Sequence, residues 1–257
     1  MNRQFCLTHT IRYDECNCDG FLTPVAFARY MQDIASRDAE DSQLVGEGYW
    51  IIKRTKMSFS APISLHTSLE LKTFGIGFSR ITALRGYEAR LAGAPLDEPL
   101  ASAQTLWVYV NSSGRPIRLP ERTAEIWMPD GVLSPPADQP FPAFPEANPI
   151  ITSTAVKFSE IDLMYHLNNA SVVEILDNAA WEALAIGDIT PMNARLALRE
   201  YDIEYIDSPR FGEHLEIHNW FEPMPTSGQS FTRFQHILRD GKTMVRSCSR
   251  WLWETTG

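Results

Sequence analysis

Apolar residues recur along the chain with two periods, and the change from one to the other repeats. Near the start, Phe27, Met31, Ile34 and Ala35 fall at helical spacing. Thr23 stands at the capping position before them and Pro24 at the favoured first helical position, so the pattern predicts a helix opening there. The runs that follow, KMSFSAPI, TSLELKTF, RITALRGYEA and QTLWVYV, alternate apolar and polar residues and predict strands. Later, Val172, Leu176, Ala179, Ala180 and Leu184 repeat the helical spacing behind Asn168, and Gly187 marks its end. Alternation resumes in DIEYI, HLEIHNWF, FTRFQHILRD and TMVRSCSRWLW, with turn signals at Gly114 and at Arg239 to Lys242. GIG at Gly75 to Gly77 lies inside a strand-like run and reads as a bulge. Both helices are apolar on most sides, which calls for burial all round.

Between these blocks, Met128 to Pro149 holds seven of the 17 prolines. That density forbids helix and interior strand and predicts an extended connector. Across it the sequence repeats at an offset of about 145 residues. Ile11 to Glu15 aligns with Val156 to Glu160, Met57 to Phe59 with Ile203 to Tyr205, and Ser68 to Leu71 with His214 to Ile217. Tryptophan strands recur around Trp107 and Trp251. Four matches in one order indicate an internal repeat. The division expected is a first domain over 1–130, a linker over 131–150 and a second domain over 151–257. One helix followed by an antiparallel meander, twice over, is an α+β arrangement.

Composition narrows the function classes. Apolar residues make up 44% of the 257 and charged residues 21%, as in a soluble globular protein. No apolar run approaches the roughly 18 residues of a membrane helix and the first residues hold no signal-peptide core, so a cytoplasmic location without membrane attachment is expected. A formal net charge of −9 argues against nucleic acid as a partner. Cys6, Cys16, Cys18 and Cys248 have no metal-site or redox spacing and read as reduced thiols. No glycine-rich phosphate loop or serine-hydrolase elbow is present, and neither a metal nor a cofactor is expected.

The chemistry concentrates in SEIDLMYHLNN, Ser159 to Asn169, just before the second helix. Asp162 offers a nucleophile or a general base, and His166 a proton carrier. Asn168 fits a helix cap, and Asn169 reads as structural ahead of catalytic. Unpaired amides around Asn169, Ala170 and Ser171 at the helix start suit a developing oxyanion. Glu174 and Asp177 read as solvent-facing or capping charges, Trp107 and Trp251 as core.

This stretch, with the repeat around it, resembles the bacterial and plant acyl-acyl-carrier-protein (acyl-ACP) thioesterases, whose motif runs S-D-L-D-x-N-x-H-x-N-N. The resemblance spans nearly the whole chain. It implies tandem hotdog domains, each an antiparallel sheet wrapped around one long central helix, and hydrolysis of a fatty acyl thioester in fatty acid biosynthesis. Asp162 and His166 match the family's catalytic aspartate and histidine, and Asn168 and Asn169 its paired asparagines. Met164 replaces the family's intervening asparagine and becomes a candidate pocket residue. A downstream Glu-Cys pair of the plant enzymes falls on Ser208-Pro209, which supplies neither group. Asn17 and Phe21 stand in the first repeat where Asp162 and His166 stand in the second. One active site per chain is therefore expected, with the first half shaping an acyl pocket. The partner implied is an acyl carrier protein, or acyl-CoA, and a homodimer is left open. GRPIRLPER, with Arg115, Arg118 and Arg122, is the first candidate for a basic docking island, and Arg239, Lys242 and Arg246 the second. The rivals are an acyl-CoA thioesterase and a non-catalytic module that binds or senses acyl thioesters.

Overall fold

The computed structural model describes residues 1–94, 98–135 and 139–255. The first half runs β1 (Gln4–Thr10), α1 (Pro24–Ser42), β2 (Tyr49–Phe59), β3 (Ser68–Phe78), β4 (Thr82–Leu91) and β5 (Ala101–Val110), then the short α2 (Thr123–Trp127). The second runs β6 (Ile150–Ala155), α3 (Asn169–Ala185), β7 (Arg195–Tyr205), β8 (His214–Glu222), β9 (Ser230–Arg239) and β10 (Lys242–Glu254). The ten strands form one antiparallel sheet in the order β1-β3-β4-β5-β2-β7-β10-β9-β8-β6. That order is the same five-strand path read twice, meeting at β2 and β7. Each half wraps its own helix, which is the tandem hotdog arrangement expected.

The local chemistry accounts for the elements. The Thr23 side chain accepts the Ala26 amide, and Pro24 opens α1 without wasting a donor. β3 alternates exposed and buried positions from Ser68 to Thr73. Its register with β4 slips between Gly75 and Gly77, the bulge expected there. Asp240 and Gly241, both at positive φ, turn β9 into β10. At the end of α3 the left-handed residue is Asp188, φ 60°, and not Gly187.

The halves are not independent cores. Lys56 pairs with Asp202 at the middle of the β2–β7 ladder, and these positions correspond across the repeat. On the outer face of that seam Arg54 reaches both carboxylate oxygens of Asp202, at 2.8 and 2.7 Å. Beneath it α1 packs against α3, and Arg29 meets Glu174, its own repeat counterpart, at 2.9 Å. One apolar cluster runs through both halves, from Ile11 and Phe27 to Leu176 and Trp251.

The connector, apart from Pro136, Ala137 and Asp138, which lie outside the described residues, has no helix or strand from Met128 to Pro149. It is a strap laid on the outer sheet face. Leu133 accepts the Phe78 amide. A Cβ on neighbouring Gly77 would come within 2.7 Å of the Pro135 nitrogen, so only glycine admits the strap there. Phe141 lies under the guanidiniums of Arg54 and Arg246, Phe144 packs at a tilt against His236 and Phe234, and the Trp220 indole donates to the Ala147 carbonyl.

Candidate active site

The loop before α3 is shaped by its own aspartate. Asp162 Oδ1 accepts the amides of Met164 at 2.8 Å and His166 at 3.4 Å. The backbone closes the same turn, Asp162 N–H to the His166 carbonyl and Tyr165 N–H to the Asp162 carbonyl. Oδ2 accepts no protein hydrogen bond among the described residues. The first repeat builds the identical turn with an amide. Asn17 Oδ1 accepts from Asp19 at 3.1 Å and Phe21 at 2.9 Å. The turn is therefore a polar-side-chain device common to both halves, and the negative charge is peculiar to the second.

One further difference stands out. The residue turning through positive φ is Gly20 in the first loop, φ 79°, and Tyr165 in the second, φ 60°. A bulky side chain there costs free energy that glycine would not. Leu163, Met164 and Tyr165 are all exposed at the loop tip.

Behind Asp162 the start of α3 presents its amides. Asn168 Oδ1 accepts the Ala170 N–H at 2.8 Å, so Asn168 is the cap and the Ala170 amide is spoken for. The amides of Asn169 and Ser171 have no acceptor among the described residues. The Asn169 side chain is likewise without a partner there, while the Asn169 main-chain carbonyl accepts from Tyr205 Oη at 3.4 Å.

Asp162, Met164, Asn168 and Asn169 together line a cavity of about 430 Å³. Its other walls come from the first half: Ala35 and Ser36 of α1, Trp50 and Ile52 of β2, Leu84 and Arg85 of β4, Trp107 of β5 and Trp127 of α2. Trp107, expected in the core, is a cavity wall. Arg85 and Trp127 are held by Asp38, which is 1% exposed. The Asp38 carboxylate accepts from Arg85 at 2.6 Å, from Trp127 Nε1 at 2.7 Å and from Arg3 at 2.7 Å. Burial alone would push this carboxyl up, but the Arg85 charge and the three donors outweigh it and hold it below the usual range. Sequence reasoning passed over Asp38, although a signal existed. It occupies the same helical stripe as Phe27, Met31 and Ile34, where an acid must find buried partners.

His166 is not brought to that cavity. It lines a separate polar depression with Asp207, Ser208, Arg210, Glu213, Arg239 and Asp240. The physical reason is the turn itself, in which Tyr165 at positive φ reverses the chain between the two side chains. Ser208-Pro209 does sit against this loop, since the Leu167 amide donates to the Pro209 carbonyl at 2.8 Å. One other expectation changes. Asp177 is no solvent-facing charge: it accepts from the buried Arg233 at 2.7 Å beside Tyr201. Glu174 is the solvent-facing charge expected, and it pairs with Arg29 away from the Asp162 cavity. Among the described residues no cluster could hold a metal ion and no helix is long and apolar enough to cross a membrane.

A ten-stranded sheet holding two helices, with a loop acid at the mouth of an apolar cavity, defines the class of fold as a double hotdog. Solved structures of that fold match the chain over nearly its full length. A Lactobacillus plantarum protein provisionally described as an oleoyl thioesterase superposes with a TM-score of 0.85 at 17% identity, covering 99% of this chain and 98% of its own. The 12:0-ACP thioesterase of Umbellularia californica gives 0.78 at 15% identity, over 96% and 93%. An acyl-ACP thioesterase from Bacteroides thetaiotaomicron gives 0.72 at 15% identity, over 96% and 97%. No protein-family model matches the sequence, and no curated protein matches it significantly.

Proposed function

We propose that this chain hydrolyses a fatty acyl thioester to the free acid and the carrier thiol, with the acyl group in the first-half cavity and the chemistry at Asp162. The observation that carries the reading is the juxtaposition of a carboxylate oxygen free of protein partners, unpaired helix-start amides and an apolar cavity walled by the other half. As general base, Asp162 would take a proton from water while the water oxygen adds to the thioester carbonyl. The Asn169 and Ser171 amides would hold the resulting oxyanion. Collapse would break the C–S bond and return the proton to the thiolate. As nucleophile, the Asp162 carboxylate would instead add to the thioester carbonyl and expel the thiolate, breaking the C–S bond to give a mixed anhydride. Water would then open the anhydride to the fatty acid and the restored carboxylate, and its released proton would go to the thiolate. The full-length likeness to structures described as acyl-ACP thioesterases supports the same assignment through the fold.

The carrier in this proposal is an acyl carrier protein acting in the cytoplasm during fatty acid synthesis. Such carriers are acidic, and a basic face adjoins the cavity. Arg115, Arg118 and Arg122 are exposed and have no acidic partner among the described residues. Arg80 joins them through its carbonyl, which accepts the Leu119 amide. Arg122 immediately precedes Thr123, a cavity wall. The second candidate island is largely neutralised, with Arg239 on Glu213 and Asp207 and Arg246 on Glu204.

The absence of His166 from the cavity favours one other reading, a module that binds acyl thioesters without turning them over. A panel of acyl-carrier and acyl-CoA substrates of increasing chain length, followed by thiol release, separates these readings. Steady release with preference for the carrier-bound form supports the proposal, equal turnover of CoA esters supports a CoA thioesterase, and stoichiometric binding without release supports the sensor. Each buried methylene contributes about 0.8 kcal/mol, so length preference will be steep until the cavity is filled.

A further inference from the structure

The pseudo-symmetry that builds the Asp162 cavity builds a second one. It shares no lining residue with the first and has the same volume, about 430 Å³. Its loop is the Asn17 turn, its helix start is that of α1, and its opposite wall is α3. Phe21, Phe59, Trp181, Leu198 and Trp251 make its interior apolar and aromatic. The Thr23 hydroxyl caps the Ala26 amide, as Asn168 caps Ala170, and the Val25 amide has no acceptor among the described residues. Asn17 spends its Oδ1 on the turn and leaves its Nδ2 donor with no acceptor among the described residues. A carbonyl entering here meets two donors and no carboxylate at the reacting position.

Charge distinguishes this cavity from its twin. Asp14, Asp19, Glu174, Asp177 and Glu254 line it, against only Arg29 and Arg195. Both arginines are committed, Arg29 to Glu174 at 2.9 Å and Arg195 to Glu254 at 3.0 Å, while Asp14 is paired with Arg12 and Asp177 with Arg233. An anionic head, whether phosphate or free carboxylate, would find no uncommitted cation among the described lining residues and would face Asp19, which has no cationic partner among the described residues. An uncharged carbonyl on an apolar tail needs no such cation.

We propose that this cavity is a second acyl-binding site that holds an uncharged, carbonyl-bearing acyl amphiphile without hydrolysing it. The inference rests on the acyl-thioester reading of the Asp162 cavity, because it extends that site's geometry to the repeat counterpart.

The test is calorimetric titration of the full chain with two non-hydrolysable probes in which an amide NH replaces the thioester sulfur. One is the dodecanoyl amide analogue of pantetheine, which is neutral, and the other is the corresponding CoA analogue, which carries phosphates. The expected stoichiometry is two per chain for the neutral probe and one for the CoA probe. Ala61→Trp, which fills the second cavity from a loop, should reduce the neutral probe to one per chain and leave thioester turnover unchanged. Asn17→Asp removes the free donor and adds charge while keeping the turn, as Asp162 does in the other half. It should weaken the second binding event at least tenfold, again without loss of turnover, and it serves should Ala61→Trp not fold. A single neutral-probe site with turnover intact overturns this inference alone. Two sites insensitive to both substitutions overturn the location, and two sites for the CoA probe overturn the charge argument. No binding of either probe together with no turnover overturns the functional reading as well.

Discussion

Replacing Asp38 with asparagine tests how the cavity wall is held. Asp38 Oδ2 accepts from both Arg85 Nη1 and Trp127 Nε1, and Oδ1 from Arg3 Nε. Whichever way an asparagine turns, its NH2 confronts at least one of these donors, and the partly buried positive charge of Arg85 loses its counter-ion. A hydrogen bond to a charged group contributes about 1.5–3 kcal/mol, and removing one partner of a buried pair costs about 3–5 kcal/mol. For a chain of this size that is a fall of roughly 6–20 °C in the thermal midpoint, at about 2–4 °C per kcal/mol. The pH dependence has a definite sign. The folded carboxyl is held below its unfolded value, so its contribution is complete above about pH 4 and disappears as pH falls through the lower, folded value. Thermal melts of both proteins from pH 7 to pH 2.5 should show a gap that closes only in that acid range. Because Arg85 and Trp127 are cavity walls, KM for a long-chain thioester should also rise. A midpoint within about 2 °C of wild type at pH 7 would refute the reasoning.

Three further outcomes are expected. His166→Ala should lower kcat by less than about tenfold, against the 10²–10⁴-fold of a group that moves the proton, and a larger loss in steady-state thiol release would mean that the ring reaches the cavity during turnover. Tyr165→Gly should raise the urea unfolding free energy by about 1 kcal/mol by relieving the positive φ, and unchanged or lower stability would show that the tyrosine side chain compensates for its backbone. Reversing Arg115, Arg118 and Arg122 to glutamate should raise KM for a carrier-bound substrate by about tenfold or more and flatten its salt dependence, with little change for a free pantetheine ester.

The repeat was legible because it is written in apolar spacing, which is local and strong. Thr23 and Pro24, the Gly75–Gly77 bulge and the Arg239 to Lys242 turn were legible for the same reason: each is decided by a few adjacent residues. β1 and β6 escaped notice because they are the two edge strands, and their inward residues are only partly buried. α2 is a single short helix shortly before the proline-rich strap. That the connector is a strap, pinned by Phe141 and Phe144, depends on partners about 90 residues or more away in sequence and has no local signature. Asp177 was misread because its partners, Arg233 and Tyr201, arrive on other strands. At the candidate site, the cap at Asn168 and the position of Asp162 at a helix mouth follow from spacing. The parting of His166 from Asp162 depends on one residue's backbone angle, which sequence spacing does not reveal.

The central claim is that the charge on Asp162 does chemistry and that its turn does not need it. The molecule supplies its own control, since Asn17 makes the same two hydrogen bonds in the first repeat. The decisive measurement is therefore kcat of Asp162→Asn on a long-chain acyl-carrier thioester, taken beside its thermal midpoint. The account predicts a fall of at least about 10²-fold in kcat, the scale of a lost proton acceptor, with the midpoint unmoved. Wild-type kcat in this variant would contradict it, and would leave the polar cluster before α3 as a helix cap and nothing more.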